Sequence, residues 1–170
     1  MIDCPGDLSA LAPRIFLNPG DFYFSSSGQQ ITTILGSCIA ITLWHPVLHI
    51  GGMCHFVMPA APASNLNSIP AAKAKGYYAD DALLLFKHEV ESRGTSLMAY
   101  EAKVFGGGHS QARVKQGTKT IGDQNIIAAI TLLARHKMTI KATHLGESRY
   151  RRLIFDTNTG DVWLKHEQIS

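Results

Sequence analysis

Two side chains with complementary chemistry, Cys38 and His55, lie 17 residues apart in the chain. A cysteine attacks as its thiolate, and a nearby histidine can lower the pKa of the thiol or accept its proton. Cys38 follows Leu35-Gly36-Ser37, where the glycine permits a sharp turn before a strand. The pair suggests acyl transfer through a covalent cysteine intermediate. The alternative is that Cys38 is a small buried apolar side chain, the commonest fate of a free cysteine.

The two side chains can meet if their strands pair. The turn at His45-Pro46 separates two apolar, β-branched stretches, and an antiparallel pairing across it is expected. Neighbouring residues of a strand point to opposite faces, so at most one of Cys54 and His55 shares the face of Cys38. The pattern leaves open which of the two does.

A Cys/His pair generally needs a third group that fixes the orientation and tautomer of the imidazole. No Asp or Glu is close in sequence, so this group must be a backbone carbonyl or a hydroxyl. The hydroxyls available are those of Thr32, Thr33, Ser37 and Thr42. Any of these would orient the ring without supplying a charge.

The candidate residues lie in a stretch of 51 residues, 22–72, that contains no Asp, Glu, Lys or Arg, although 17% of the chain is charged. Its most apolar run, 31–44, is shorter and more polar than a membrane-spanning helix, and its β-branched residues favour buried strands. The N-terminus is acidic and contains Pro5 and Gly6, unlike a signal peptide. We therefore expect a cytoplasmic protein without membrane insertion.

A net charge of +3 is low for a nucleic-acid binder, and we expect no nucleic-acid partner. Arg149, Arg151 and Arg152 are expected to form a solvated edge, and docking of an acidic partner there is the alternative. The cysteines and histidines lack the close ligand pairs of zinc sites, so no metal is expected. The segment 106–109, Gly-Gly-Gly-His, lacks the Gly-Lys-Ser/Thr of a phosphate cradle and predicts a tight turn or a partner-facing loop. No cofactor is expected.

Hydrophobic periodicity predicts strands, then helix–strand–helix, then strands. The predicted strands are 29–34, 38–44, 48–58, 97–105, 139–145, 152–156 and 161–165, and the predicted helices are 79–93 and a second one that begins at Asp123 as its N-cap. A loop is predicted over 59–72, and Gly51-Gly52 predicts a bulge or a close backbone approach. His136, His144 and His166 are interpreted as surface or edge residues. The order implies an α+β fold with helices covering sheet.

Four segments then occur in a fixed order along nearly the whole chain. They are Leu35-Gly36-Ser37-Cys38, 51–59 (Gly-Gly-Met-Cys-His-Phe-Val-Met-Pro), 102–107 (Ala-Lys-Val-Phe-Gly-Gly) and 121–125 (Ile-Gly-Asp-Gln-Asn). With them, the chain resembles the CheD family of chemoreceptor glutamine deamidases. The resemblance implies a single deamidase domain over 1–170, with 1–17 as an N-terminal lead-in.

The resemblance also implies a structure and a site. The fold would be similar to the deamidase domain of the cytotoxic necrotising factor toxins, with packed mixed β-sheets flanked by two main helices. The site would consist of Cys38 as nucleophile, His55 as base and Thr32, six residues before the cysteine, as third member. Thr33 is the alternative for the third position.

The activity implied by the resemblance is hydrolysis of glutamine side chains to glutamate on the cytoplasmic helices of chemoreceptors, through a cysteine thioester, in bacterial chemotaxis. Some relatives would also hydrolyse glutamyl methyl esters, and a CheC-like phosphatase is an implied partner. Two alternatives stay open. One is a catalytically weak module that binds receptors or CheC, and the other is a cysteine amidase acting on small molecules.

Overall fold

The computed structural model describes residues 13–61, 75–110 and 117–167. In chain order the elements are β1 (Arg14–Phe16), β2 (Phe22–Ser25), β3 (Gln30–Leu35), β4 (Ile39–His45), β5 (Ile50–Phe56), α1 (Ala79–Ser92), β6 (Glu101–Gly106), α2 (Ile121–Arg135), β7 (Thr139–Leu145), β8 (Tyr150–Asp156) and β9 (Val162–Glu167). The predicted loop over 59–72 lies outside the described residues from residue 62 onward.

The strands form two mixed sheets. One sheet has four strands in the order β1-β3-β8-β9, and the other has five in the order β2-β5-β4-β6-β7. The pairs β1–β3 and β6–β7 are parallel, and the other pairs are antiparallel. Neither described helix is long and apolar enough to cross a bilayer. The α+β class expected from the element order is confirmed.

The five-stranded sheet lies between the helices and the four-stranded sheet, and each of its faces has its own core. Ile39, Ile41 and Cys54 pack with the apolar faces of α1 and α2 on one side. Ala40 and Met53 pack against residues of the four-stranded sheet on the other. This alternation follows from the two-residue period of a strand, and it explains why β4 and β5 carry uncharged side chains on both faces.

The expected antiparallel pairing across His45-Pro46 is confirmed, and its ladder runs from Ile39 opposite Phe56 to His45 opposite Ile50. The close backbone approach considered for Gly51-Gly52 is also present. A Cβ on Gly51 would lie 2.3 Å from the carbonyl oxygen of Leu43. Only glycine fits there without moving the neighbouring strand.

Two sequence predictions were wrong in detail. Residues Leu97–Ala99 form a 3-10 helix rather than the start of a strand, and Met98 is 63% exposed. The alternating pattern holds only from Tyr100 onward, and it was extended too far backward. Arg151, expected on a solvated edge, is fully buried. The short strands β1 and β2 were not predicted, since three or four residues carry too little periodicity.

The start of α2 also differs from the prediction. Thr120, not Asp123, is the N-cap, and the two residues form a capping box in which each side chain accepts from the backbone N–H of the other. Asp123 lies in the first turn of α2, three residues after the N-cap. There its negative carboxylate also interacts favourably with the positive end of the helix dipole. The box fixes the first turn of the helix that carries Asn125.

Replacing Thr120 with alanine should lower the free energy of unfolding by about 1 kcal/mol, since a helix N-cap is lost. The matched control is Thr131→Ala, because Thr131 is exposed within the same helix. There alanine is the better helix former, and the stability should stay the same or rise slightly. Urea unfolding of both variants measures the difference, and equal effects would contradict the capping assignment.

Candidate active site

His55 lies on the face of β5 that looks toward the four-stranded sheet. It is paired across the ladder with Ala40, which belongs to the core between the sheets, and Cys38 packs against the same core. Cys38 is two residues before Ala40, so it is the diagonal neighbour of His55 on one face. Cys54 points the other way, into the helix-side core, where it is fully buried. The structure thus places His55, rather than Cys54, on the side of Cys38.

Thr33 makes the contact that orients the imidazole. Its Oγ1 lies 2.7 Å from His55 Nδ1 and donates to the carbonyl oxygen of Leu17 at 2.8 Å. A hydroxyl has one proton, so the bond to Leu17 leaves Oγ1 as an acceptor toward the ring. His55 therefore carries its proton on Nδ1, and its Nε2 has a free lone pair.

The Thr32 hydroxyl does not hydrogen-bond to His55. It donates to the carbonyl oxygen of Leu153 at 2.7 Å, within the four-stranded sheet. Thr32 and Thr33 point to opposite faces of β3, and only the face that carries Ile31, Thr33 and Leu35 looks toward the five-stranded sheet. Of the two threonines named from the sequence, the structure brings the alternative, Thr33, to the ring.

Burial governs the protonation of the ring. His55 is only 2% exposed, and burial lowers its pKa to about 4 because the charged imidazolium loses its hydration. The Leu17 carbonyl and the Asp21 carboxylate act in the opposite direction with smaller effect. Near neutral pH the ring is therefore uncharged, as a general base must be.

Cys38 lies at the bend immediately before β4 and is half-buried, while Ser37 beside it is exposed. Burial raises the pKa of the Cys38 thiol, and its own backbone N–H acts in the opposite direction. Burial also raises the pKa of Cys54, to about 12. Near neutral pH Cys38 and His55 are thus a neutral thiol and a neutral imidazole, not a thiolate–imidazolium pair.

The Gly-Gly-Gly segment, 106–108, holds the backbone around Cys38 through hydrogen bonds. Gly107 N–H donates to the Cys38 carbonyl at 2.9 Å, and Gly108 N–H donates to the Gly36 carbonyl at 2.8 Å. Gly106 has φ +116°, and a Cβ there would lie 2.1 Å from the Cys38 carbonyl oxygen. The loop predicted from the sequence therefore holds the bend that presents the thiol.

His55 Nε2 is buried and has no hydrogen-bond partner among the described residues, the Cys38 thiol included. Catalytic hydrogen bonds are often long before substrate binds and shorten in the reacting complex. A free lone pair on the same face as a half-buried thiol is what general-base activation of a nucleophile requires, once the two atoms come within hydrogen-bond distance.

Three residues at this site were not found from the sequence. Leu17 acts through its backbone carbonyl, which leaves no side-chain signal. Asp21 lies one residue before the charge-free stretch, and it could have been noticed as the nearest upstream carboxylate. Asn125 was quoted within a motif, yet its side chain reaches the backbone on both sides of the Cys38–His55 pair.

Among the described residues, the group that could hold a metal ion is His144, Glu147 and His166. Arg151 Nη1 lies 2.9 Å from His144 Nδ1 and can only donate, so that nitrogen is unprotonated. The ring proton of neutral His144 is then on Nε2, 3.7 Å from a Glu147 oxygen. A metal would need the lone pair of that Nε2. The buried Arg151 therefore disfavours a cation here.

Comparison with known families gives one assignment. Residues 61–166 match the CheD family, described as CheD chemotactic sensory transduction.

Curated relatives extend the match over most of the chain. A protein of Pseudomonas syringae pv. tomato named probable chemoreceptor glutamine deamidase CheD is 37% identical over 161 residues, which cover 93% of this chain and 92% of the relative. A relative in Dechloromonas aromatica, named probable chemoreceptor glutamine deamidase CheD 3, is 39% identical over 91% of this chain and 88% of its own length. One in Leptospira interrogans is 32% identical, over 91% and 93%. Alignments of this extent include the segment from Cys38 to His55.

The low pKa of His55 predicts a pH-dependent stability. The unfolded chain binds a proton near pH 6.5 and the folded chain only near pH 4, so the unfolded state holds more protons between these values. The contribution of neutral His55 to the free energy of unfolding is fully present above pH 6.5, and it is lost as the pH falls through 4. The total loss is on the order of 3 kcal/mol. Urea unfolding at pH 7 and pH 4 should show this extra loss in wild type but not in His55→Gln.

The same substitution at exposed His88 serves as the control for this measurement. His88→Gln should lose as much stability between pH 7 and pH 4 as wild type does, because it keeps the buried His55. The other titrating groups of the chain are present in both variants, so they do not affect the comparison. If wild type and His55→Gln lose stability equally, His55 is not held neutral by burial.

Proposed function

The chain belongs to the CheD family, and on that premise we propose that it hydrolyses glutamine side chains of chemoreceptors to glutamate, with Cys38 as nucleophile and His55 as base. The observation that carries the proposal is the buried, unpaired Nε2 of His55 on the face it shares with the Cys38 thiol. The relatives' printed names supply the substrate class.

The first half of the reaction forms the acyl-enzyme. His55 Nε2 accepts the proton of the Cys38 thiol as the sulfur attacks the carboxamide carbon, and a C–S bond forms. The carbonyl oxygen becomes an oxyanion. The imidazolium then gives its proton to the amide nitrogen, the C–N bond breaks, and ammonia leaves a thioester on Cys38.

The second half returns the enzyme. His55 Nε2 accepts a proton from water as the water oxygen attacks the thioester carbon. The C–S bond breaks, and the Cys38 sulfur takes the proton back from the imidazolium. The product leaves as glutamic acid, which gives its carboxyl proton to water and becomes glutamate. Because Thr33 accepts from Nδ1–H throughout, each transfer uses the same ring nitrogen.

The proposal differs from the family resemblance in the third member of the site, for which the resemblance implied Thr32. The hydrogen bond between Thr33 and His55 supports Thr33 as the orienting group in place of Thr32. A hydroxyl supplies no negative charge to stabilise the imidazolium. The Asp21 carboxylate, which favours the charged ring through space, supplies part of that stabilisation.

The exposed residues around the Cys38 thiol are accessible to a side chain presented by another protein. Ser37 is exposed next to Cys38, and the ring of Tyr150, 45% exposed, packs over Gly36. Gly36, Ser37 and Tyr150 are called the rim of the site. A glutamine on a receptor's cytoplasmic helix could enter at this rim, which would place the protein in the cytoplasm. A CheC-like phosphatase, implied by the resemblance, would compete for the same rim.

Deamidation can be tested with a purified cytoplasmic fragment of a chemoreceptor. Wild type should release one ammonia for each glutamine converted to glutamate, read from the amide-to-acid mass change, and Cys38→Ala should release none. Full activity in Cys38→Ala would contradict the nucleophile assignment. Binding without turnover by wild type would support the regulatory alternative, and turnover of free glutamine would support a small-molecule amidase.

The two threonines form a matched pair for the orienting role. Thr33→Val should lower kcat about 10- to 100-fold, because a misoriented base loses part of the roughly 100- to 10,000-fold contribution of acid–base catalysis. Thr32→Val is the same substitution at the neighbouring residue of β3. It removes a hydroxyl that does not bond to His55, and it should leave kcat close to wild type. The reverse order of effects would assign the orienting role to Thr32.

The pH at which activity falls on the acid side should be unusually low for a histidine base. His55 works as a base only when neutral, so kcat/KM should stay level from neutral pH downward and fall only as the pH approaches about 4. Initial rates on the receptor fragment between pH 4 and 8 measure this. An acid limb near pH 6.5 would mean that the ring in the free enzyme is hydrated and not held by burial.

A further inference from the structure

Asn125 connects the two backbone segments that carry the proposed catalytic pair. Its side chain is fully buried in the first turns of α2, and its Nδ2 donates to the Ser37 carbonyl at 3.0 Å and to the Val57 carbonyl at 2.9 Å. Ser37 immediately precedes Cys38, and Val57 follows His55 by two residues. One amide therefore bridges both sides of the site from the helix side of the sheet.

This bridge lies where the β4–β5 ladder stops. The last cross-strand pair is Ile39 with Phe56. The next rung would join Ser37 and Met58, but the Met58 N–H donates to the Tyr77 carbonyl and the Met58 carbonyl accepts from the Ala79 N–H. The Ser37 carbonyl accepts from Asn125 instead, so the amide takes the place of the missing cross-strand donor.

The bond to Ser37 also fixes the direction of the Cys38 N–H. The Ser37 carbonyl and the Cys38 N–H belong to one peptide group, and no described peptide bond is cis. In a trans peptide these two groups point in opposite directions. With the carbonyl held toward α2, the N–H points away from the helices, toward the face of the thiol.

The amide has a cost that a packing role does not explain. Asn125 Oδ1 is buried and has no hydrogen-bond partner among the described residues. The opposite amide orientation is excluded, because it would set this oxygen against two carbonyl oxygens. A buried polar atom without a partner destabilises the fold, and an apolar side chain of similar size would avoid that cost. The presence of the amide therefore points to a role in positioning the backbone.

We propose that Asn125 is a positioning residue: it holds the Ser37–Cys38 peptide so that the Cys38 N–H faces the sulfur and donates to the oxyanion that forms on the substrate. A preorganised donor of this kind stabilises charge that develops in the transition state. The oxyanion part rests on the proposed deamidation. The orientation of the N–H toward the thiol does not.

The test compares Asn125→Leu with wild type, with Leu133→Ala as the control for destabilisation. Leu133 is fully buried on the same helix and touches neither Ser37 nor Val57 through a hydrogen bond. Two quantities are measured on folded protein: kcat and KM on the receptor fragment, and the rate of Cys38 alkylation by iodoacetamide as a function of pH. Alkylation of Cys38→Ala gives the background from the other cysteines.

Asn125→Leu should lower kcat about 10- to 100-fold with little change in KM, since a misdirected donor loses part of the roughly 100- to 1,000-fold that one oxyanion donor contributes. The midpoint of the alkylation profile should shift to higher pH, because the thiolate loses its N–H donor. Leu133→Ala should lower the melting temperature and shift neither quantity. If Asn125→Leu does not fold, Asn125→Ser is measured in the same way.

The proposal is overturned if the folded Asn125 variant keeps both the kcat and the alkylation profile of wild type, or changes them no more than Leu133→Ala does. If wild type itself shows no deamidation, the alkylation profile alone decides between these results. Failure of the proposed function and failure of the positioning role are therefore distinguishable.

Discussion

The hydrogen bond between Thr33 Oγ1 and His55 Nδ1 joins the two sheets at the proposed active site. Thr33 belongs to the four-stranded sheet and His55 to the five-stranded sheet, so their contact exists only while the sheets are packed face to face. The Leu17 carbonyl takes the hydroxyl proton and thereby decides the ring tautomer. Orientation, tautomer and burial of the base all follow from that one packing arrangement.

The same packing sets the resting charge of the proposed active site, in which His55 has no buried carboxylate partner. Removing water from around His55 keeps the ring neutral, and burial of Cys38 keeps the thiol protonated. In the proposed reaction, charge develops only when the substrate is attacked, so the oxyanion and the imidazolium must be stabilised at that moment. The proposal assigns this role to the peptide N–H of Cys38 and to the Asp21 carboxylate.

Sequence periodicity was sufficient for the α+β class, both helices and the antiparallel pairing that brings the Cys38 and His55 strands together. It could not decide between Thr32 and Thr33, because that choice depends on which face of β3 meets the other sheet. A six-residue count along the chain carries no information on that packing. The hydrogen bond from Thr33 Oγ1 to the Leu17 carbonyl and the burial of Arg151 are likewise tertiary, and short strands such as β1 leave no pattern to read.

The protonation of His55 at neutral pH is the central physical claim, and nitrogen-15 NMR of the histidine ring measures it directly. The account predicts a neutral ring at pH 7 with the proton on Nδ1 and a bare Nε2, which titrates only near pH 4. An imidazolium at pH 7 would mean that Cys38 and His55 rest as an ion pair. A proton on Nε2 would mean that Thr33 does not set the tautomer, and either result would contradict the account.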